Sequence, residues 1–306
     1  MTIGDLIEEL KQKEIKISFS DGKLKYSGPE ENITPELIEY LKKYKGKLIK
    51  YFWPEELALM MPINTEGTKT PLFIVHGDYA NYIISDHLGP DQPVYGFFHP
   101  GSEGEAIRFK SVKEMAETYL DKVLAVYPSG PFYLMGFSFG GILAFEMAVQ
   151  LQKKGYEVPF LVLIDSVSPL AEEPFEMDIN LFKKIRINYL RPIRKKIKQF
   201  LKLTKFNGYI LINKPIPVNK RADYIYLKYV ALTKRYIPAK FEGDILLFRS
   251  TENSFYEKYL GWETLVNGIR IIEIDGKHLE IFTGKSRTEK LQTEIEKYLS
   301  YVNGLE

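Results

Sequence analysis

Residues 131–154 read PFYLMGFSFGGILAFEMAVQLQKK. The apolar run 132–135 is short enough for a buried strand. It runs into Gly136-Phe137-Ser138-Phe139-Gly140. Beyond Gly141, apolar residues recur at helical spacing at Ile142, Leu143, Phe145, Met147, Ala148 and Leu151, and Gly155 ends the segment. Strand, G-x-S-x-G and helix in that order predict a tight turn that holds Ser138 out at the top of a sheet. Such a turn strains the serine backbone, and glycines two residues either side let neighbouring backbone pass without a β-carbon. The first N–H groups of the helix point at the same place. The plainer alternative is a glycine-rich turn with an incidental serine.

Outward from this stretch, short apolar strands are predicted at 71–75, 94–98, 160–164, 244–249 and 269–274, with helices at 111–126, 142–154 and about 286–300. Alternating apolar strands and amphipathic helices predict an α/β chain with a mostly parallel sheet covered on both faces. Gly261-Trp262-Glu263 reads as the start of a short helix. Residues 170–235 interrupt the alternation with helical, basic segments. From Ile179 to Ala222 the chain carries thirteen Lys or Arg and no Asp or Glu. This is either a solvated helical face or a lid inserted into the sheet protein, with a surface suited to an acidic partner.

Composition bounds the rest. The chain has 306 residues, 45% hydrophobic and 14% aromatic, with a formal charge of +2. These values fit a globular protein. There is no cysteine, which removes disulfides, thiolate metal sites and cysteine nucleophiles together, and fits a reducing, cytoplasmic setting. The N-terminal MTIGDLIEEL has no signal-peptide core, and no run approaches the length of a membrane span. No nucleic-acid or membrane partner is expected, and the four histidines show no metal-like spacing.

Residues 1–53 read as a separate small α+β unit in the order helix, hairpin, helix, helix, with 54–70 as a linker and 71–306 as the main domain. Thr2 is placed to cap a helix over Ile3, Leu6, Ile7 and Leu10. Residues 15–19 and 24–26 alternate around Asp21-Gly22, a hairpin signal. Thr34-Pro35-Glu36 opens the second helix, and Leu48, Ile49, Phe52 and Trp53 continue the third. Nothing in this unit suggests chemistry, and the plainer reading is a packing extension.

In a parallel sheet the C-terminal strand ends share one edge. Ser138, Asp165 and His278 fall there in the chain order of nucleophile, acid and base. A serine needs a base to take its proton, and the base needs an acid to set its tautomer. A surface-turn histidine is the plainer reading of His278. His76 lies in the loop after strand 71–75, His87 in a polar helical stretch, and His99 in a Pro-Gly turn. Glu252, after strand 244–249, is the alternative acid. Asp244 begins a strand at the wrong edge, and Asp275 belongs to the turn before His278.

The pieces GFSFGGILAFEMAVQL, LVLIDSVSP, GDILLFRSTE, GWETL and DGKHLEIF, within residues 71–300, resemble the thioesterase domains that terminate nonribosomal peptide and polyketide synthesis. The resemblance implies an α/β-hydrolase with a helical lid, Ser138 as nucleophile, Asp165 as orienting acid and His278 as base. Oxyanion N–H groups are implied at Phe139 and Asp78, although HGDYAN departs from the family's glycine- or proline-rich loop. In that family an Asp on the LIDS strand marks the chain-releasing type, whereas the editing type carries its acid one strand later.

The run TIGDLIEELKQKEIKISFSDGKLKYSGP…ITPELIEYLKKYKGKLIKYF is similar to the N-terminal docking domain of tubulysin-synthetase type. It implies a grip on the C-terminal segment of an upstream synthetase subunit, by strand addition, with Lys16, Lys23 and Lys25 selecting an acidic tail. It also implies a capacity for homodimerisation. Together the two resemblances imply a chain-releasing thioesterase of a split assembly line. The acyl or peptidyl substrate arrives on the phosphopantetheine arm of a partner carrier protein, and no cofactor of its own is needed. An editing thioesterase, a generic esterase or acyltransferase, and a non-catalytic docking scaffold are the alternatives.

Overall fold

The computed structural model describes residues 3–20, 23–45, 48, 58–77, 79–171, 204, 206–212 and 214–304. The N-terminal unit contains α1 (Ile3–Gln12), strands β1 (Lys16–Ser20) and β2 (Lys23–Ser27), and α2 (Pro35–Lys43). The hairpin register sets Lys16 opposite Ser27, Ser18 opposite Lys25 and Ser20 opposite Lys23. The alternate positions carry the apolar residues, so Ile17 and Leu24 pack toward Leu6, Leu10, Ile15, Leu37, Leu41 and Leu48. Thr34 starts α2 as expected, its hydroxyl accepting from the Leu37 N–H at 3.3 Å. Thr2 and most of the stretch 48–53 lie outside the described residues.

The main body has seven strands in the order β3-β5-β4-β6-β7-β8-β9, all parallel except edge strand β3. They are β3 (Met60–Asn64), β4 (Leu72–Val75), β5 (Val94–Phe97), β6 (Tyr133–Phe137), β7 (Phe160–Ile164), β8 (Asp244–Ser250) and β9 (Gly268–Ile274). The helices are α3 (Tyr79–Leu88), α4 (Val112–Val126), α5 (Phe139–Lys153), α6 (Val218–Thr233) and α7 (Lys285–Val302). The period-two alternation of the strands divides the core. Phe73, Val75, Leu161 and Leu163 face α4, α5 and α6. Leu72, Ile74, Phe160, Val162 and Ile164 face α3 and α7.

Three expectations are corrected. The stretch 54–70 is more than a linker, because β3 pairs antiparallel with β5 within it. Pro62 hid the strand in the sequence, since proline lacks a ladder donor and is tolerated only at a sheet edge, where β3 lies. The helical stretch around His87 reads as polar in the sequence, but α3 turns Ala80 and Ile84 into the core, with Asn81 and Ser85 also buried. The segment at Gly261-Trp262-Glu263 forms turns and not a helix. Of the expected lid, α6 is described, while most of the basic segment lies outside the described residues.

Trp262 does not start a helix, but it anchors the core below the site. It is fully buried, its ring lies 4.7 Å from that of Phe145, and its Nε1–H donates to the Ser166 carbonyl at 2.7 Å. Trp262→Phe removes that donor and leaves a buried carbonyl unpaired. A loss of about 1–3 kcal/mol is expected in denaturant unfolding, and truncation to alanine should cost about 3–5 kcal/mol.

Candidate active site

The site forms at the C-terminal ends of β6, β7 and β9. Ser138 follows β6 with φ 55 and ψ −121, a conformation side chains rarely adopt. The surrounding chain forces it. A β-carbon on Gly136 would overlap the Gly140 backbone, and one on Gly140 would overlap the Val75 carbonyl and lie 2.8 Å from Cβ of His76. A β-carbon on Gly141 would sit 2.6 Å from the Ser166 side chain. The Ser138 N–H donates to the Ile164 carbonyl at 2.9 Å, tying the turn to β7.

The three residues from three strand ends meet. His278 Nδ1 lies 2.6 Å from Asp165 Oδ2, and His278 Nε2 lies 3.0 Å from Ser138 Oγ. An ionised carboxylate only accepts, so the ring proton sits on Nδ1 and the Nε2 lone pair faces the serine hydroxyl. Phe137 stacks on the imidazole at 4.7 Å and holds its plane. Asp165 is 1% exposed and itself has φ 47. Its burial pushes the carboxyl pKa up, but hydrogen bonds from His278, the Ser250 N–H, Asn253 and the Ser250 hydroxyl outweigh this and leave it lowered.

Three consecutive residues at the end of β8 support this line. Ser250 donates to Asp165 twice, from N–H at 2.7 Å and from the hydroxyl at 2.8 Å. The Thr251 hydroxyl accepts from Gly276 N–H at 2.9 Å. Glu252, the alternative acid, accepts from the backbone N–H of His278 at 2.7 Å. It holds the loop that carries the base, and the ring nitrogen is left to Asp165. Ser250 was not singled out in the sequence. Its signal was its position at the end of a strand beside the acid-bearing one. Asp275 contacts Thr251 and not the ring.

Phe139 opens α5, whose first N–H groups have no intrahelical partner. Asp78 lies outside the described residues. Lys16 and Lys25 are exposed on the hairpin, and the Lys23 backbone pairs in β2. The described residues contain no group of three or more His, Cys, Asp or Glu placed to hold a metal ion. No described helix is long and apolar enough to cross a membrane.

Comparison with known proteins places this geometry. A thioesterase domain model matches residues 82–299, and a TubC N-terminal docking domain model matches residues 3–53. Malpibaldin synthetase from Mortierella alpina is 29% identical over 254 residues, covering 78% of this chain and 4% of that protein. A dimodular nonribosomal peptide synthase from Bacillus subtilis (strain 168) is 29% identical over 244 residues, 74% of this chain and 10% of that protein. The chain thus spans a small fraction of these relatives' length. Among solved structures, the NocB thioesterase domain from the nocardicin cluster aligns with TM-score 0.57 at 23% identity, covering 79% of this chain and 99% of that one. The surfactin thioesterase domain SrfTE aligns with TM-score 0.53 at 18% identity, over 80% and 97%. Both likenesses are in fold, that of an α/β-hydrolase.

The lowered Asp165 pKa has a consequence for stability. The folded value lies below the ordinary 3.8, so the ionised carboxylate stabilises the fold above that pH, and the contribution is lost as pH falls through the folded value. The stability advantage of the wild type over Asp165→Asn should be larger at pH 6 than at pH 3 in urea unfolding. An advantage that grows on acidification would contradict the charge-stabilised assignment.

Proposed function

The chain belongs to the thioesterase domain family, and from that premise we propose that it releases acyl or peptidyl chains from a carrier protein of a nonribosomal peptide or hybrid polyketide assembly line. The observation that carries this is the hydrogen-bonded line Asp165–His278–Ser138. On this reading the substrate is a thioester on the carrier's phosphopantetheine arm, and the protein uses no cofactor of its own. Ser138 Oγ attacks the thioester carbonyl while His278 Nε2 takes the hydroxyl proton. Asp165 fixes the tautomer and stabilises the imidazolium. The tetrahedral oxyanion is received by the N–H of Phe139 and by the loop at Asp78, each donor worth about 3 kcal/mol. The intermediate collapses, His278 protonates the departing thiolate, and an acyl ester on Ser138 remains. Water, or a nucleophile within the chain itself, then repeats the cycle and frees the product.

The position of the acid supports chain release over editing, since it is Asp165 at the end of β7 that meets the imidazole, with Glu252 on the backbone N–H. The complete line of three side chains supports catalysis over a scaffold role. Residues 1–53 are proposed as the docking unit and 71–306 as the hydrolase. The hairpin, with Lys16, Lys23 and Lys25, would grip the tail of an upstream synthetase subunit.

Three experiments test the proposal. Ser138→Ala should lower turnover of a soluble acyl thioester by at least about a thousandfold and abolish labelling by a fluorophosphonate. Asp165→Asn should lose activity on the order of 10⁴, whereas Glu252→Gln, which keeps an acceptor for the His278 N–H, should retain most of it. The reverse order of these two losses would move the protein to the editing type. Deletion of residues 1–53 should leave turnover of a small thioester nearly unchanged. The same deletion should slow release from the cognate carrier at micromolar protein, with partial rescue at higher concentration. Equal losses on both substrates would instead make the unit a support for the hydrolase fold.

A further inference from the structure

Behind the nucleophile lies a cluster of rings that the proposed chemistry does not use. It gathers His76 after β4, His99 after β5, Tyr119 on α4, Phe139 at the start of α5 and Tyr229 on α6. Tyr229 stacks on Phe139 with centroids 4.0 Å apart and planes 14° from parallel, and on His76 at 5.4 Å and 9°. The His99 ring lies 4.2 Å from that of His76. The Tyr229 hydroxyl is 3.0 Å from His99 Nδ1, and the Tyr119 hydroxyl is 2.9 Å from His76 Nε2. His76, Tyr119, Phe139 and Tyr229 are all buried.

Two of these rings belong to the backbone segments that the thioesterase reading above assigns to the oxyanion hole. Phe139 carries the N–H next to Ser138. His76, at φ 56, begins the loop through Gly77 and residue 78. These segments touch directly, since a β-carbon on Gly140 would meet the Val75 carbonyl and Cβ of His76. His76 stays in this unfavoured conformation because its ring is fixed on several sides. Its Nδ1 is buried without a hydrogen-bond partner, so packing and the single bond to Tyr119 hold it. The His76 and Phe139 rings lie 6.1 Å apart, and Tyr229, from α6, stacks on both.

We infer that Tyr229 is a positioning residue that couples helix α6 to the oxyanion hole, its ring holding the Phe139 and His76 backbones in register. The inference rests on the thioesterase reading above. A ring that sets donor geometry acts on the transition state more than on substrate affinity, because a displacement of a fraction of an ångström weakens bonds to the oxyanion first. Movement of α6 would then alter the rate without touching the triad.

The test uses the full chain, a small soluble acyl thioester and a fluorophosphonate. Tyr229→Ala should lower kcat by about tenfold or more and change KM by less than about twofold. Fluorophosphonate labelling of Ser138 should slow in parallel, since the phosphonyl oxygen takes the oxyanion position. Tyr229→Phe keeps the stack, removes the hydroxyl that lies 3.0 Å from His99 Nδ1, and should recover most of the rate. Tyr229→Leu keeps apolar bulk without a planar ring, should show the same loss of kcat, and carries the test if the alanine variant fails to fold. A wild-type kcat in the leucine variant, a loss carried wholly by KM, or a phenylalanine variant as slow as leucine would each overturn the inference. Absence of turnover and labelling in the wild type would overturn the thioesterase reading itself.

Discussion

A carboxylate removed from water must be matched by donors, and Asp165 is the carboxylate on which this site depends. Burial alone would push it toward the neutral acid, which could not hold the imidazole tautomer. The Ser250 N–H, the Ser250 hydroxyl and the His278 ring donate to it and keep it ionised. Each donor has a structural consequence. Ser250 can reach Asp165 only because β8 lies beside β7 in parallel register, with Ile164 opposite Phe248. His278 can reach only because the loop after β9 folds back across the end of β8, where Thr251 and Glu252 hold it. The strand order is therefore part of the electrostatics of the acid.

The second constraint is steric. The turn at Ser138 folds so tightly that a β-carbon on Gly136 would meet the Gly140 backbone, and it crosses the β4 end so closely that one on Gly140 would meet the Val75 carbonyl. Two non-glycine residues accept left-handed backbone next to it, His76 and Asp165. Three strained residues within one site are retained only where the surroundings over-determine them. Here those surroundings are the buried inner strands of the sheet, with α5 packed on one face and Trp262 beneath. Stability in the core is what keeps the hydroxyl, the imidazole and the acid in one place.

How much of this was legible follows from which interactions are local. The elbow could be read because strand, G-x-S-x-G and helix are contiguous, and the strand ends could be assigned because apolar runs mark buried parallel strands. The meeting of Ser138, Asp165 and His278 needed only the rule that parallel strands end at one edge. Glu252 stayed an alternative because its choice of partner, a backbone N–H over a ring nitrogen, depends on the path of a loop. Strand β3 was hidden by Pro62. The ring cluster around His76 was out of reach for a different reason. Its members come from five elements, and the contact between Phe139 and Tyr229 spans ninety residues of chain with no periodicity to announce it. His76 and His99 were weighed singly as catalytic bases, when their rings in fact lie against each other.

The two units of the chain also differ in what limits them. The N-terminal core is small, built among the described residues on Leu6, Leu10, Ile15, Leu37, Leu41 and Leu48, and it presents a hairpin on which Lys16 and Lys25 are exposed. The hydrolase core is large enough to carry strain. On the proposed reading this division has a kinetic logic. A carrier must arrive, be unloaded and leave, so a tight grip would trade faster capture for slower departure. A weak, partly electrostatic contact through a separate unit raises the local concentration of the thioester without adding any interaction at the reacting carbonyl. Affinity for the partner and stabilisation of the transition state can then vary independently, because no residue serves both.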